Sequence, residues 1–396
     1  MNAPTSTPGA PAIPSSRYAE RIERARDLLA QGGGRALLIG VGADLRWLTG
    51  YDAHALERLT MLVVAPRQDR AVLLVPRLEV AAAEAAPAVA AGIVDVKSWQ
   101  ETEDPFALVA GAVDGGAAGT AGGQGSVLVS DTLLAIFVLR LQAALPGAPF
   151  ALASTILASL RRIKDAEEIE LLRRAAHAAD RAVMGVARAH LIGRSEADVA
   201  REVRDRLVDE GHDIAAFWIV ASGPNSASPH HAPAERVIQP GEPVVLDIGG
   251  TIGGYGSDIT RTIWVAGPDG GESDPEFREL YDVLQRAQAA ATEAVAPGIA
   301  CESIDATARR IISDGGFGER FIHRTGHGVG LEGHEHPYLV AGNSQQLRVG
   351  DAFSVEPGIY LDGRFGARIE DIVVCAARGP DTLNEATRDL LVVAGA

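Results

Sequence analysis

Four acidic residues stand where strands are expected. The run VVLDIGGTIGGYGSDITRTIWV carries Asp247 and Asp258, FSVEPGIY carries Glu356, and ARIEDIVV carries Glu370. Strands deplete acids, and a carboxylate buried without a partner costs several kcal/mol, so each needs either solvent or a counter-charge. Any one of them, taken alone, is equally well explained by a solvent-facing position on an alternating strand. Four turned inward would repel one another and raise each other's pKa values, whereas two divalent cations would balance them. A fifth donor lies in HRTGHGVGLEGHEHPY, residues 323–338, which gathers His323, His327, His334 and His336 out of a total of ten histidines. His327 offers a neutral nitrogen ligand. Carboxylates with one imidazole favour a hard or borderline ion, Mn²⁺ with Co²⁺ or Zn²⁺ able to substitute, so a two-metal centre is expected.

Rival readings of these stretches fail on local pattern. A zinc-protease helix needs Glu after its first His, but HRTGH has Arg324 there, followed by Gly326, Gly328 and Gly330. DIGGTIGGYG has the glycines of a nucleotide-binding turn, yet the strand-like TRTIWV follows where a phosphate-binding helix should begin. No GxSxG elbow is present, which argues against a serine hydrolase.

The elements that must position these residues fall into two groups. A chain of 396 residues is too long for one ordinary core. Over residues 18–160, a helix across Tyr18–Gln31 precedes short apolar runs, RALLIGV, LRWLTG, TMLVVAP, AVLLVP, GIVDVKSW and SVLVS, which predict an α/β domain with a mixed sheet. The Gly/Ala-rich residues 114–125 read as a surface loop. Residues 161–396 predict four helices: one capped by Asp165 with Glu168, one over SEADVAREVRDRLVDEG, one from Asp274-Pro275 to Pro297-Gly298, and one over about Glu302–Gly315. With the strands EPVVLDIGG, TRTIWVAG, DAFSVEPGIY and RIEDIVVCA, this second domain is expected to be α+β, its helices covering mostly antiparallel strands.

Composition narrows the setting. A net charge of −16 repels phosphate backbones, so nucleic acid is not an expected partner. Cys301 and Cys375 stand in no metal-binding or redox spacing, which suits a reducing cytoplasm. Residues 1–17, rich in Pro, Ser and Ala, read as a disordered tail rather than a signal peptide, and no apolar run is long enough to predict a membrane span.

DIGGTIGGYGSDITRT, HRTGHGVGLEGHEHP, VEPGIY and RIED, in that order and spacing, resemble the prolidase and aminopeptidase P branch of the "pita-bread" M24 metallopeptidases. The similarity covers about residues 160–396; the first domain is similar to that family's creatinase-like N-terminal domain loosely, through LRWLTGY. By this resemblance Asp247 chelates one metal, Asp258 and Glu370 bridge both, and His327 and Glu356 hold the second. His230, in SGPNSASPHH, matches a substrate-contacting histidine, His334 one that steadies the oxyanion, and Arg368 an arginine that supports the bridging acid. His231, His323 and His336 have no counterpart and are either supporting or surface residues. Some prolidases have an arginine four residues after the position of His334; Tyr338 stands there, so that mode of holding the substrate carboxylate is not carried over.

The resemblance implies hydrolysis of the peptide bond before proline, with Glu356 as general base, His334 and His230 donating to the tetrahedral state, and a homodimer. An Xaa-Pro bond lacks the N–H that general peptidases grip and has a fixed φ, which explains a dedicated enzyme. The expected substrate is an Xaa-Pro dipeptide, with Arg46 and Arg58 as candidates for holding its carboxylate or as ordinary surface arginines. Two alternatives stand: an aminopeptidase acting on longer Xaa-Pro-Yaa peptides, and a non-catalytic binding module, which five retained ligand positions disfavour.

Overall fold

The computed structural model describes residues 13–114, 125–267 and 273–393. Residues 1–12 of the expected tail and 115–124 of the expected loop lie outside the described residues. The chain divides into two units, Ile13–Arg161 and a second that begins at Arg162. No described helix is long and apolar enough to cross a membrane.

The first unit opens with α1 (Ser15–Gln31), so Ser15 to Arg17 belong to a helix rather than to the tail expected over residues 1–17. Its Tyr18, Ile22, Ala25 and Leu29 recur at helical spacing and are buried. The strands β1 (Ala36–Ile39), β2 (Met61–Val64), β3 (Ala71–Pro76), β4 (Val94–Trp99), β5 (Val127–Val129) and β6 (Phe150–Leu152) form one sheet in the order β4-β3-β2-β1-β5-β6. β1 pairs antiparallel with β2 and parallel with β5, so the sheet is mixed, as expected. LRWLTG, expected among the short apolar runs of the sheet, is instead the helix α2 (Ala43–Thr49), closed by Gly50 at φ 73°. So short a run carries too little periodicity to tell a buried helix from a buried strand. The helices α3 (Val80–Glu84), α4 (Pro87–Ala90), α5 (Pro105–Val113), α6 (Ala135–Ala144) and α7 (Ser154–Arg161) complete the unit. Phe106 and Val109 of α5, and Phe137 and Leu141 of α6, pack on β1, β2 and β5 to make its core.

The second unit is built on two five-stranded sheets, each with its own pair of helices, and a two-stranded hairpin. α8 (Ala166–Ala187) and α9 (Glu196–Asp209) begin with capping boxes, Asp165 with Glu168 and Ser195 with Asp198. Their apolar faces pack on a sheet of β7 (Ile214–Ser222), β8 (Glu242–Ile252), β9 (Tyr255–Gly256), β10 (Ile259–Val265) and, in chain order last, β18 (Leu391–Val393). β8 is antiparallel to β7 and β10. The Gly253-Gly254 pair, at φ 59° and 89°, makes the tight turn from β8 to β9, which is the conformational reason for glycines that superficially resembled a phosphate loop.

α10 (Pro275–Glu293), with Asp274 capping it, and α11 (Cys301–Asp314) pack on the second sheet. That sheet runs β12 (Glu335–Leu339), β11 (Gly326–Gly328), β13 (Ala352–Val355), β16 (Asp371–Ala376), β17 (Gly379–Thr382), and a hairpin of β14 (Gly358–Leu361) and β15 (Phe365–Arg368) leaves between β13 and β16. α10 ends at Glu293, short of the expected stop at Pro297-Gly298. β7, β9, β12, β15, β17 and β18 were not anticipated: β7 lies at the edge of its sheet with a bulge between Ala215 and Phe217, and its burial is uneven.

Candidate active site

Both of the larger sheets of the second unit contribute to one cavity of about 920 Å³. Asp247 points from the middle of β8 and Asp258 from the link between β9 and β10. His327 is the central residue of β11, Glu356 follows β13, and Glu370 precedes β16. Glu356 and Glu370 thus sit at breaks between strands rather than inside them, which is how acids are accommodated in otherwise apolar sequence. A Cβ on Gly326 would lie 1.9 Å from the Ser354 carbonyl oxygen, and one on Gly328 would lie 2.2 Å from that of His336. Only glycine lets the strands close around His327.

Asp258, His327 and Glu370 are buried and offer ligand atoms that all lie within 4.8 Å of one another. Asp247 and Glu356 line the same cavity. His327 Nδ1 is 3.2 Å from the Gly328 carbonyl oxygen, which can only accept, so this nitrogen carries the proton. Nε2 then faces Glu356 Oε1 at 3.2 Å and Asp258 Oδ2 at 3.7 Å, where it bonds the acids when protonated and offers them a shared ligand position when the ring is neutral. Acceptors converging in this way require a proton or a metal cation between them. Asp247 Oδ1 is buried with no hydrogen-bond partner, while its Oδ2 accepts from Arg368. Oxygen-rich donors, one free imidazole nitrogen and one orphaned carboxylate oxygen fit divalent metal.

The electrostatics carry the same demand. Burial, then the neighbouring charges, hold the carboxyls of Asp258 and Glu370 well above their ordinary range. Burial also raises Asp247, against the pull of Arg368. Glu356 departs from the expected mutual rise: burial pushes it up, but the His327 hydrogen bond and charge, His323 and Arg368 bring it to about 2. His327 is raised because Glu356 and Asp258 outweigh its burial.

Arg368 is buried, and its donors go to Asp247, Thr260 Oγ1, Tyr360 Oη and the Pro229 carbonyl. His230 and His334 are exposed residues on the cavity wall. The His334 ring centroid lies 4.0 Å from that of His327, and Arg324 Nη2 donates to His334 Nδ1 at 3.2 Å. Since arginine only donates, Nδ1 accepts and Nε2 carries the proton of the neutral ring. Although solvent reaches the residue, desolvation of its ring against the cavity wall, then His327 and Arg324, keep His334 neutral by lowering its pKa to about 4.

Of the three histidines left open by sequence, His323 bonds the Arg324 carbonyl and Tyr360 Oη, and His231 bonds Glu196. His336 is exposed, 5.0 Å from the Tyr338 ring. Arg46 and Arg58 lie in the first unit, paired with Asp52 and with Glu57 and Glu101. Thr260, Arg261, Glu196, Tyr360 and Arg324 were missed. A signal existed for Arg261, a charge within TRTIWV: fully buried, it donates to Asp371 and to the carbonyls of Thr260, Glu370, Ala386 and Thr387.

A sequence model described as metallopeptidase family M24 matches residues 170–377, which contain the whole cluster. The chain belongs to this family. A second model, the creatinase/prolidase N-terminal domain, matches residues 21–163 of this M24 chain. A protein named probable dipeptidase PepE from Mycobacterium tuberculosis is 44% identical over 95% of the chain and 96% of its own length. The Xaa-Pro dipeptidase of Lactobacillus helveticus is 36% identical over 88% and 92%. The crystal structure of dipeptidase PepE from Mycobacterium ulcerans matches with a TM-score of 0.88, 41% identity, and coverage of 97% of this chain and all of that one. The architecture is accordingly that of the pita-bread metallopeptidases, and the M24 assignment makes the chain a divalent-metal-dependent peptidase with a candidate metal site at this cluster.

Proposed function

We propose that the chain hydrolyses Xaa-Pro dipeptides at a dinuclear centre held by Asp247, Asp258, His327, Glu356 and Glu370. The observation that carries the reading is the convergence of His327 Nε2 and the carboxylates on one cavity, with one Asp247 oxygen left unpartnered. The relatives named dipeptidase and Xaa-Pro dipeptidase support the substrate class. The donor set suits manganese before cobalt or zinc. A homodimer, which sedimentation tests, and a cytoplasmic setting, which suits two buried free thiols, belong to the same proposal.

Divalent cations bound at these donors supply Lewis-acid polarisation of the scissile carbonyl and a water of lowered pKa. Glu356, the one acid of the cluster held below the ordinary carboxylate range, takes the proton of the attacking water and passes it to the leaving proline nitrogen. His334 presents its Nε2 proton, and His230 a second donor, to the oxyanion as it develops. Arg368 orients Asp247 and favours its charged form against the effect of burial. Arg46 and Arg58 stay candidates for the substrate carboxylate, tested by the dipeptide KM of their alanine variants.

The deciding experiment compares an Xaa-Pro dipeptide with an Xaa-Pro-Yaa tripeptide on manganese-reconstituted protein, with metal analysis alongside. Two ions per chain and preferential cleavage of the dipeptide are expected. Preference for the tripeptide would make the chain an aminopeptidase, and fewer than two ions would remove the dinuclear centre.

A further inference from the structure

The cavity is dominated by carboxylates, yet a dipeptide would bring one more. A terminal carboxylate sits one residue beyond the scissile carbonyl, so the cation that receives it must stand about one side chain away from the acid cluster. Arg368 lies on the wall, but its donors are committed to Asp247, Thr260, Tyr360 and the Pro229 carbonyl. Arg324 is the other wall arginine. His334 separates it from the cluster: the His334 ring is 4.0 Å from the His327 ring on one side, and its Nδ1 is 3.2 Å from Arg324 Nη2 on the other.

Among the described residues no acid pairs with Arg324, although acids outnumber bases in this protein. Its guanidinium instead lies 4.6 Å from the centroid of the Tyr338 ring. An aromatic face restrains a guanidinium without consuming its in-plane donors, so the fork remains available to a planar carboxylate. Arg324 comes from the segment preceding β11 and Tyr338 from β12, and His327, three residues after Arg324, is paired in register with Tyr338. The platform and the cation are therefore set by the same strand pair that sets a metal-ligating histidine.

We propose that Arg324, resting on Tyr338, is a specificity-determining residue that binds the free α-carboxylate of the dipeptide. This rests on the dipeptidase reading above, and gives that reading its reason to prefer dipeptides, since a longer chain has an amide where Arg324 requires a charge. The shared hydrogen bond to His334 also brings carboxylate recognition next to a residue assigned to the oxyanion.

The test uses full-length, manganese-loaded protein and two substrates, an Xaa-Pro dipeptide and its C-terminal amide. Arg324→Gln is expected to raise KM for the acid about tenfold or more, as the loss of a charge-assisted bidentate contact does, while moving KM for the amide less than about twofold. Arg324→Lys should recover part of the loss, and Tyr338→Leu should weaken acid binding several-fold while Tyr338→Phe leaves it unchanged. Equal KM changes for acid and amide in Arg324→Gln would overturn the assignment while leaving the dipeptidase reading intact. Wild-type protein inert toward both substrates would overturn the two together.

Discussion

Thr260 Oγ1 donates a 2.6 Å hydrogen bond to Glu370 Oε2, and the same two residues are joined by a backbone bridge in which Glu370 N donates to Thr260 O. Through this pair the two sheets of the second unit meet at the acid cluster. Thr260 Oγ1 also accepts from Arg368 Nε at 3.1 Å. Thr260→Val keeps the volume but leaves a buried carboxylate and a buried guanidinium each short of a partner, at about 1–3 kcal/mol. We expect roughly tenfold lower kcat with weaker metal retention, and near-complete recovery in Thr260→Ser, read by steady-state kinetics and metal titration.

Stripping divalent metal should abolish hydrolysis and lower the thermal midpoint, because buried carboxyls lose their counter-charge. In chelated protein at pH 8, Asp258→Asn should melt a few degrees above chelated wild type, since one member of a repelling set is gone. In metal-loaded protein the order should reverse. Calorimetry of the two proteins with and without manganese checks both signs, and an Asp258→Asn midpoint that never rises above wild type would contradict the charge argument.

His334→Ala should lower kcat about 100-fold, the usual loss for an oxyanion donor, while bound metal stays at the wild-type level. Full activity in this variant would remove the oxyanion role. The contrasting control is His336→Ala, whose ring is exposed beside Tyr338 and whose loss is expected to leave kcat unchanged.

Glu196 is fully buried and accepts from Ser222 N, Ser222 Oγ, Asn225 Nδ2, His231 and Ala234 N. It thereby fastens the loop that carries His230. Glu196→Ala should destabilise the fold by roughly 3 kcal/mol or more, because several buried donors lose their acceptor together. His231→Ala should be milder in stability but raise KM several-fold, as the His230 loop loosens. Denaturant unfolding and dipeptide kinetics separate the two effects.

His212 is buried, with Nδ1 2.9 Å from the Leu207 carbonyl and Nε2 2.9 Å from Ser257 Oγ, and burial holds its pKa below the ordinary value. Between that lowered value and the unfolded one of about 6.5 the unfolded chain binds the extra proton, so stability rises with pH. The contribution is complete above about pH 6.5 and is lost as pH falls below it. Thermal midpoints from about pH 7.5 to 5 should fall more steeply for wild type than for His212→Gln. Parallel curves would refute the assignment.

How much of this was legible beforehand differs residue by residue. Asp165 with Glu168 and Ser195 to Asp198 mark helix starts because capping is local chemistry, satisfied by a side chain three positions along. Asp247, Asp258, Glu356 and Glu370 stood out because each violates the local preference of its own segment, and His327 because it falls in a cluster of four histidines; both signals can be seen without knowing their remedy. LRWLTG was misassigned because a short, wholly buried run reads alike as helix or strand until its partners are known.

The sequence by itself determined the donor types, their order and the carboxylate excess that calls for cations. Only the tertiary structure decided which oxygens remain unpartnered, which His327 nitrogen is free, and that Arg324 stands beside His334 with Tyr338 beneath it. Those are matters of direction and distance between segments far apart along the chain. A residue's type limits what it can bond, but the packing of strands against one another selects the partner it meets.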